Sequence, residues 1–169
     1  MKEIFERRSI RKYLDKAVPK DMVEKIIMAG MAAPSSGNQQ PWQFVIINEK
    51  ELLYKIAEIN PYAGMLNHCG VAVAVCGDIS LTKYEEFWPQ DCSAATQNML
   101  LEAVHLGLGA VWLGIYPTRD VVDGIKKILN LPEGIIPFSI VPLGFPAENP
   151  GPANRYNQSR IHFNANQWQ

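Results

Sequence analysis

The chain has 169 residues, of which 47% are hydrophobic and 20% charged, and its formal net charge is -1. That length suffices to bury one real core, most economically as a single domain over 1–169, and the composition is that of an ordinary soluble globular protein. Such a charge balance gives neither nucleic acid nor an anionic membrane surface a footing.

In chain order, a short amphipathic turn leads into "FERRSIRKY", Phe5 to Tyr13, where Arg7, Arg8, Arg11 and Lys12 surround Ser9. From Pro19 to Ala33 the apolar Met22, Val23, Ile26, Ile27, Gly30 and Met31 recur at helical spacing, with Pro19 suited to a first turn. "APSSGNQQP" follows as a polar connection, then "WQFVII", Trp42 to Ile47, as a strand and Glu49 to Ile59 as a helix. "VAVAVCGD" reads as a buried strand. "PQDCSAATQNMLLEAVHLGLG" reads as a central helix whose Ala94, Ala95 and Ala103 admit a close neighbour, stopped by Gly107 and Gly109. "AVWLGIY" is a strand, Thr118 is placed to cap a following helix, and "IIPFSIVPLGF" is a last strand interrupted by prolines. From Pro146 to Gln169 the chain is rich in Pro, Asn and Gly without period, so it is either a disordered tail or an extended segment lying on something, such as another subunit. Tyr156, Ile161, Phe163 and Trp168 favour the extended segment. The order of elements alone suggests an alternating α/β fold with a parallel sheet.

Cys69, Cys76 and Cys92 form no C-x-x-C pair, and an odd count argues against a disulfide framework, which fits a reducing cytoplasm. His68, His105 and His162 are scattered, so no metal site is expected. The start has no apolar run of signal-peptide length, and "VAVAVC" is too short to cross a bilayer. "GLGAVW" has Trp112 where a third glycine belongs and runs from helix to strand, against a dinucleotide loop. Cys92 and Ser93 open a helix, but no histidine is positioned in the sequence to activate them.

Two features remain. The basic turn at Arg7–Lys12 is either a solvated surface or a phosphate site, because arginines and a hydroxyl gathered by a turn match a dianion, and Arg155 and Arg160 could join it. The polar run from Pro34 to Gln40 is either an ordinary loop or a ligand contact.

Taken together, "RRSIRKY", "APSSGNQQPWQF", "GLGAVWLGIYP", "VPLGFP" and the late arginine resemble the FMN-dependent nitroreductase family over almost the whole chain. The resemblance implies an α+β fold, with a mixed, largely antiparallel central sheet flanked by helices, in an intertwined homodimer whose 146–169 segment packs on the partner. It implies FMN as cofactor and NADH or NADPH as co-substrate, with a small-molecule electron acceptor such as a nitroaromatic or quinone. Arg7, Arg8, Ser9 and Arg155 would hold the phosphate, and Arg11 would reach the flavin's pyrimidine side. Pro34, Ser35, Ser36, Asn38 and Gln40 would meet the flavin from the opposite subunit. Trp112, Leu113 and Gly114 match the strand end whose backbone N–H faces flavin N5. Tyr84, Phe87 and Trp88 either form a small lid or pack their loop on the domain. The alternatives are a flavin carrier or redox sensor with little turnover, and a dehalogenating or flavin-fragmenting member of the superfamily.

Overall fold

The computed structural model describes residues 2–84 and 86–164. Among these residues are five α-helices, α1 (Glu3–Glu6), α2 (Lys20–Met31), α3 (Lys50–Ile59), α4 (Trp88–His105) and α5 (Arg119–Ile128), and five strands, β1 (Trp42–Ile47), β2 (Val71–Asp78), β3 (Gly109–Ala110), β4 (Leu113–Gly114) and β5 (Ile135–Gly144), in the order α1, α2, β1, α3, β2, α4, β3, β4, α5, β5.

The sheet runs in the order β1, β2, β5, β3, with β4 also on β5, and every pair of these strands is antiparallel. The parallel α/β arrangement suggested by element order is therefore overturned, and the α+β expectation stands. A parallel bridge between Ser9 and Ala110 and an antiparallel one between Tyr13 and Pro146 add the N-terminal segment, giving the sheet its mixed character.

The misleading signal was the order of elements, and β2 did not contradict it: its residues from Val71 to Gly77 are all buried, as in a parallel strand covered on both faces. Here an antiparallel sheet is covered on both faces. Val71, Val73 and Val75 join the cluster beneath α2 and α4, with Ile26, Ala95 and Met99. Ala72, Ala74 and Cys76 turn to the other face, with Leu53, Ile56, Ile125 and Ile140, as the two-residue period of a strand requires.

Small residues set the spacings. A methyl on Gly30 would come 3.0 Å from the Met99 side chain, so α2 and α4 approach closely there. Gly77 is filled by Trp88, to which an added Cβ would come within 2.3 Å.

Three expectations need correction. Pro137 and Pro142 do not interrupt β5, which is continuous; the register against β2 shifts between Val75 and Cys76, opposite Ser139 and Pro137, since a bulge accommodates a residue that cannot donate. "AVWLGIY" is not one strand but the two short pieces β3 and β4, separated at Val111 and Trp112. Thr118 does occupy the N-cap of α5, but its side chain makes no capping bond.

Candidate functional site

Helix α1 is only one turn long and ends by releasing Arg7 into extended backbone, with φ -56° and ψ 126°. From there the chain joins the sheet: Ile10 N–H donates to Ala110 O at 2.9 Å, Leu14 N–H to Phe145 O at 2.9 Å, and Ala147 N–H to Lys12 O at 2.9 Å. Tyr13 anchors the turn, its hydroxyl donating to Ile10 O at 2.7 Å and its ring lying where a Cβ on Gly144 would meet it at 2.7 Å.

This pairing brings Arg155 within electrostatic reach of Arg7. Burial, and then the charges of Arg155 and Arg8, push the Arg7 pKa below its ordinary value. Among the described residues none of Arg7, Arg8, Arg11 and Arg155 forms a salt bridge with a carboxylate. Like charges gathered together destabilise one another and are relieved by an anion; Glu148 gives Arg11 part of that relief. Arg8 is partly committed: its Nη1 donates to Pro150 O at 2.9 Å and also to Gly151 O. It fastens the segment that carries Arg155. Glu148 makes a second fastening, accepting from the backbone N–H of Arg11 at 2.6 Å and of Lys12 at 3.1 Å. The Arg11 bond, ahead of the Lys12 bond, holds the Glu148 pKa below the usual carboxylate value.

Next to this turn a cavity of about 470 Å³ is lined by Arg11, Asn60, Tyr62 and Met65 and by the strand residues Trp112, Leu113 and Gly114. The indole of Trp112 is held edge-on by Phe138 at 5.8 Å. Gly114 is exposed, and a Cβ there would have no neighbour within 4 Å. Gly114 stands opposite Ser139, while Ile115 N–H donates to Phe138 O at 3.0 Å. Because an antiparallel strand alternates the residues that bond its partner, Gly114 turns its own N–H away from β5. Hollows of similar size exist elsewhere, one of about 610 Å³ lined by Arg8, Ile10 and Glu148 and one of about 620 Å³ lined by Tyr13, Lys50, His68 and Cys69, but neither is lined by Arg11 or Gly114.

The polar loop lies apart from this cavity. It makes one tight turn at Ser36–Asn38, with positive φ at Gly37 (57°), Asn38 (54°) and Gln40 (51°). Such backbone costs of order 1–3 kcal/mol per non-glycine residue and persists only when its surroundings enforce it. The enforcement is visible: Gln40 N–H donates to Ser35 Oγ at 2.9 Å, Gln40 Nε2 to Asn38 Oδ1 at 3.1 Å, and Ser36 N–H to Asp91 Oδ1 at 2.9 Å. Pro34, Asn38 and Gln40 are exposed, and Ser35 and Ser36 half-buried.

Of the three aromatics singled out nearby, Tyr84 and Phe87 are exposed. Trp88 is 5% exposed and wedged among Gly77, Tyr116 and Phe138, with ring centroids 4.8 and 6.0 Å away. Trp88 is therefore core, and Tyr84 and Phe87 are the pair available to a ligand. Cys92 is likewise buried, which pushes its thiol pKa up, the opposite of an activated nucleophile. Among the described residues no cluster of metal-binding side chains occurs, and no helix is long and apolar enough to cross a membrane.

Asp91 and Asn60 escaped the sequence reading. Asp91 sits in the first turn of α4, where an acidic residue needs no explanation beyond the helix dipole. Asn60 precedes Pro61 and accepts from Tyr62 N–H at 3.0 Å, a local turn bond that the Asn-Pro pair does announce; that it lines the cavity follows from the fold alone.

The nitroreductase family model matches residues 4–62 and 62–145. A protein of Methanothermobacter thermautotrophicus, provisionally named NADH dehydrogenase/NAD(P)H nitroreductase, is 49% identical over 96% of this chain and 85% of its own. A crystal structure from Parabacteroides distasonis with the same provisional name superposes with a TM-score of 0.93 at 43% identity, covering 97% of this chain and 96% of that one. A Desulfovibrio desulfuricans protein provisionally named a nitroreductase, solved in complex with FMN, has a TM-score of 0.83 at 31% identity over 97% and 95% of the two chains. With its antiparallel sheet, its convergent arginines and these relatives, the chain belongs to the nitroreductase family.

Proposed function

We propose that this chain is an FMN-dependent NAD(P)H oxidoreductase of ping-pong type, in which nicotinamide and then a planar acceptor, a nitroaromatic or a quinone, use one pocket in turn. The observation that carries this reading is the gathering of Arg7, Arg8 and Arg155 without a carboxylate partner, beside a cavity lined by Arg11 and the free edge of Gly114. The donor set fits a flavin mononucleotide. Guanidiniums and the Ser9 hydroxyl suit a phosphate dianion, and open space over Gly114 leaves room for a flat ring.

Bound FMN would supply a two-electron carrier that takes hydride at N5 and passes the electrons on. Arg7, Ser9 and Arg155 would hold the phosphate, and Arg8 secures the segment that presents Arg155. Arg11 sets a fixed cation on the pyrimidine side, where it stabilises negative charge. Gly114 would offer its backbone N–H to the flavin edge, and it has no side chain to obstruct the ring. No side-chain acid or base is needed for hydride transfer, and protons can come from water.

The second half of the site comes from a homodimer. Pro34, Ser35, Ser36, Asn38 and Gln40 lie away from the Arg11–Gly114 cavity of their own chain, which supports their serving the site of the other copy. Large apolar side chains exposed on α1 and α2, Phe5 at 76% and Met28 at 68%, and on the 146–169 segment, Tyr156 at 77% and Phe163 at 71%, support an interface to which that segment contributes. Trp168 of that segment lies outside the described residues. Three unpaired cysteines suit a cytoplasmic setting.

The test is a visible absorption spectrum of the purified protein, before and after anaerobic NADPH and then NADH. A flavin band that bleaches is the expected result. A band that persists favours a carrier or sensor, and a protein that neither holds nor binds FMN overturns the reading. Sedimentation that finds a stable flavin-loaded monomer would contradict the shared site.

A further inference from the structure

The loop at 34–40 and the aromatic turn at 82–87 are joined by a residue that no motif singles out. Gln39 uses both ends of its amide: Nε2 donates to Ser36 O at 2.8 Å, and Oε1 accepts from Lys83 N–H. On the loop side, Ser36 N–H is held by Asp91, which is 6% exposed in the first turn of α4. On the other side, Asp91 N–H donates to Phe87 O at 3.1 Å, and Phe87 N–H to Tyr84 O at 3.0 Å. The Tyr84 ring covers Gly37, where a Cβ would come within 3.3 Å of its Cε2, and meets Phe87 edge to face at 6.4 Å. A closed circuit of contacts results, through Ser36, Gln39, Lys83, Tyr84, Phe87 and Asp91.

Among the described residues Gln39 is the side chain that hydrogen-bonds the aromatic turn to the loop; the turn's other side-chain bond among them is local, Tyr84 N–H to Thr82 Oγ1 at 3.2 Å. A segment with few bonds and two exposed rings adopts one position only if something outside it insists. The amide is also the right group: Ser36 O needs a donor and Lys83 N–H an acceptor, and one neutral amide supplies both. A carboxylate at 39 could satisfy Lys83 but would face Ser36 O with a second acceptor.

We propose that Gln39 is a positioning residue for acceptor selection. It holds Tyr84 and Phe87 as an aromatic wall beside the 34–40 loop, so that flat aromatic acceptors are favoured over acceptors that gain nothing from stacking. The inference rests on the FMN reading above, in which the same loop borders the flavin.

The experiment compares flavin-loaded wild type, Gln39→Ala, Tyr84→Ala and the double variant, with kcat and KM measured for menadione, a flat quinone, and for ferricyanide, which has no ring to stack. Gln39→Ala is expected to lower the menadione-to-ferricyanide ratio of kcat/KM by about 3- to 10-fold, the range for one lost aromatic contact, with most of the change in the menadione KM. Tyr84→Ala should do the same. The double variant should be no worse than the more damaged single, because the two substitutions remove one wall. An unchanged ratio in Gln39→Ala overturns the inference, and so do losses that multiply in the double variant. Should Gln39→Ala not fold, Gln39→Met keeps the bulk, drops both hydrogen bonds and is read in the same way. FMN content, measured for every protein, separates the two levels: a wild type without FMN removes both readings, whereas wild-type turnover with an unaltered Gln39→Ala ratio removes this one alone.

Discussion

Gly77 and Gly114 lie in one sheet and have opposite reasons to lack a side chain. A methyl on Gly77 would enter the Trp88 ring, so Gly77→Ala should cost about 1–3 kcal/mol, the usual range for overpacking, and lower the urea midpoint. A methyl on Gly114 touches nothing in its own chain; Gly114→Ala should stay within about 0.5 kcal/mol of wild type in stability while weakening FMN binding or slowing flavin reduction by nicotinamide. If Gly114→Ala leaves both flavin properties unaltered, the strand end does not face the ring. Arg7→Ala should weaken FMN retention by about 1.5–3 kcal/mol, as for a lost hydrogen bond to a charged group; equal affinity in the two proteins would remove the phosphate role. At this scale the sequence was informative where a residue's chemistry is unusual for its place, as with four cations around Ser9. It was silent where a common residue does an uncommon job. Asp91 in a first turn and Gln39 in a polar loop look ordinary, and their partners, 55 and 44 residues away, are visible only in the fold.

Between elements, the 145–148 stretch is held by backbone pairing to residues 12–14 and by the Glu148 carboxylate on two N–H groups. Glu148→Ala should loosen the segment that follows, read as faster tryptic cleavage at Arg155 and Arg160 with little change in the far-UV spectrum. Cleavage at the wild-type rate would mean that Arg8 and the backbone ladder suffice. The carboxylate's depressed pKa gives the same fastening an acid limit: its contribution is complete above the ordinary glutamate value of 4.5 and is lost as pH falls through the lower folded value. Helices were legible because their period is local; α2 was expected at Pro19–Ala33 and runs Lys20–Met31, and α3 was expected at Glu49–Ile59 and runs Lys50–Ile59. Strand pairing was not legible from period. "VAVAV" announces burial on two faces, but nothing within five residues states whether the neighbouring strand runs with it or against it. Motif resemblance supplied the antiparallel answer, and the break at Val111 and Trp112 escaped because β-branched and aromatic composition does not reveal where hydrogen bonding lapses.

For the whole molecule, buried acids set an alkaline limit. Burial pushes Cys69 and Cys76 from an ordinary 9.0 up to about 12, and pushes Cys92 and Tyr13 higher still. The unfolded chain therefore sheds these protons first as pH rises. The stability they contribute is complete below about pH 9 and is lost progressively toward pH 12. Denaturation midpoints measured from pH 8 to 11 should decline, and Cys76→Ala should flatten the decline; midpoints independent of pH across that range would contradict it. The Arg8 fastening, which spans 142 and 143 residues to Pro150 and Gly151, bears on how the protein is made. Arg7 and Arg8 are made well before the segment to which Arg8 binds, and until it arrives the Arg8 guanidinium lacks the Pro150 and Gly151 carbonyls that receive it. The sheet can begin to form on the way, but in the proposed phosphate site Arg155 can join Arg7 only after translation has passed it, so FMN loading is expected to follow the synthesis of Arg155.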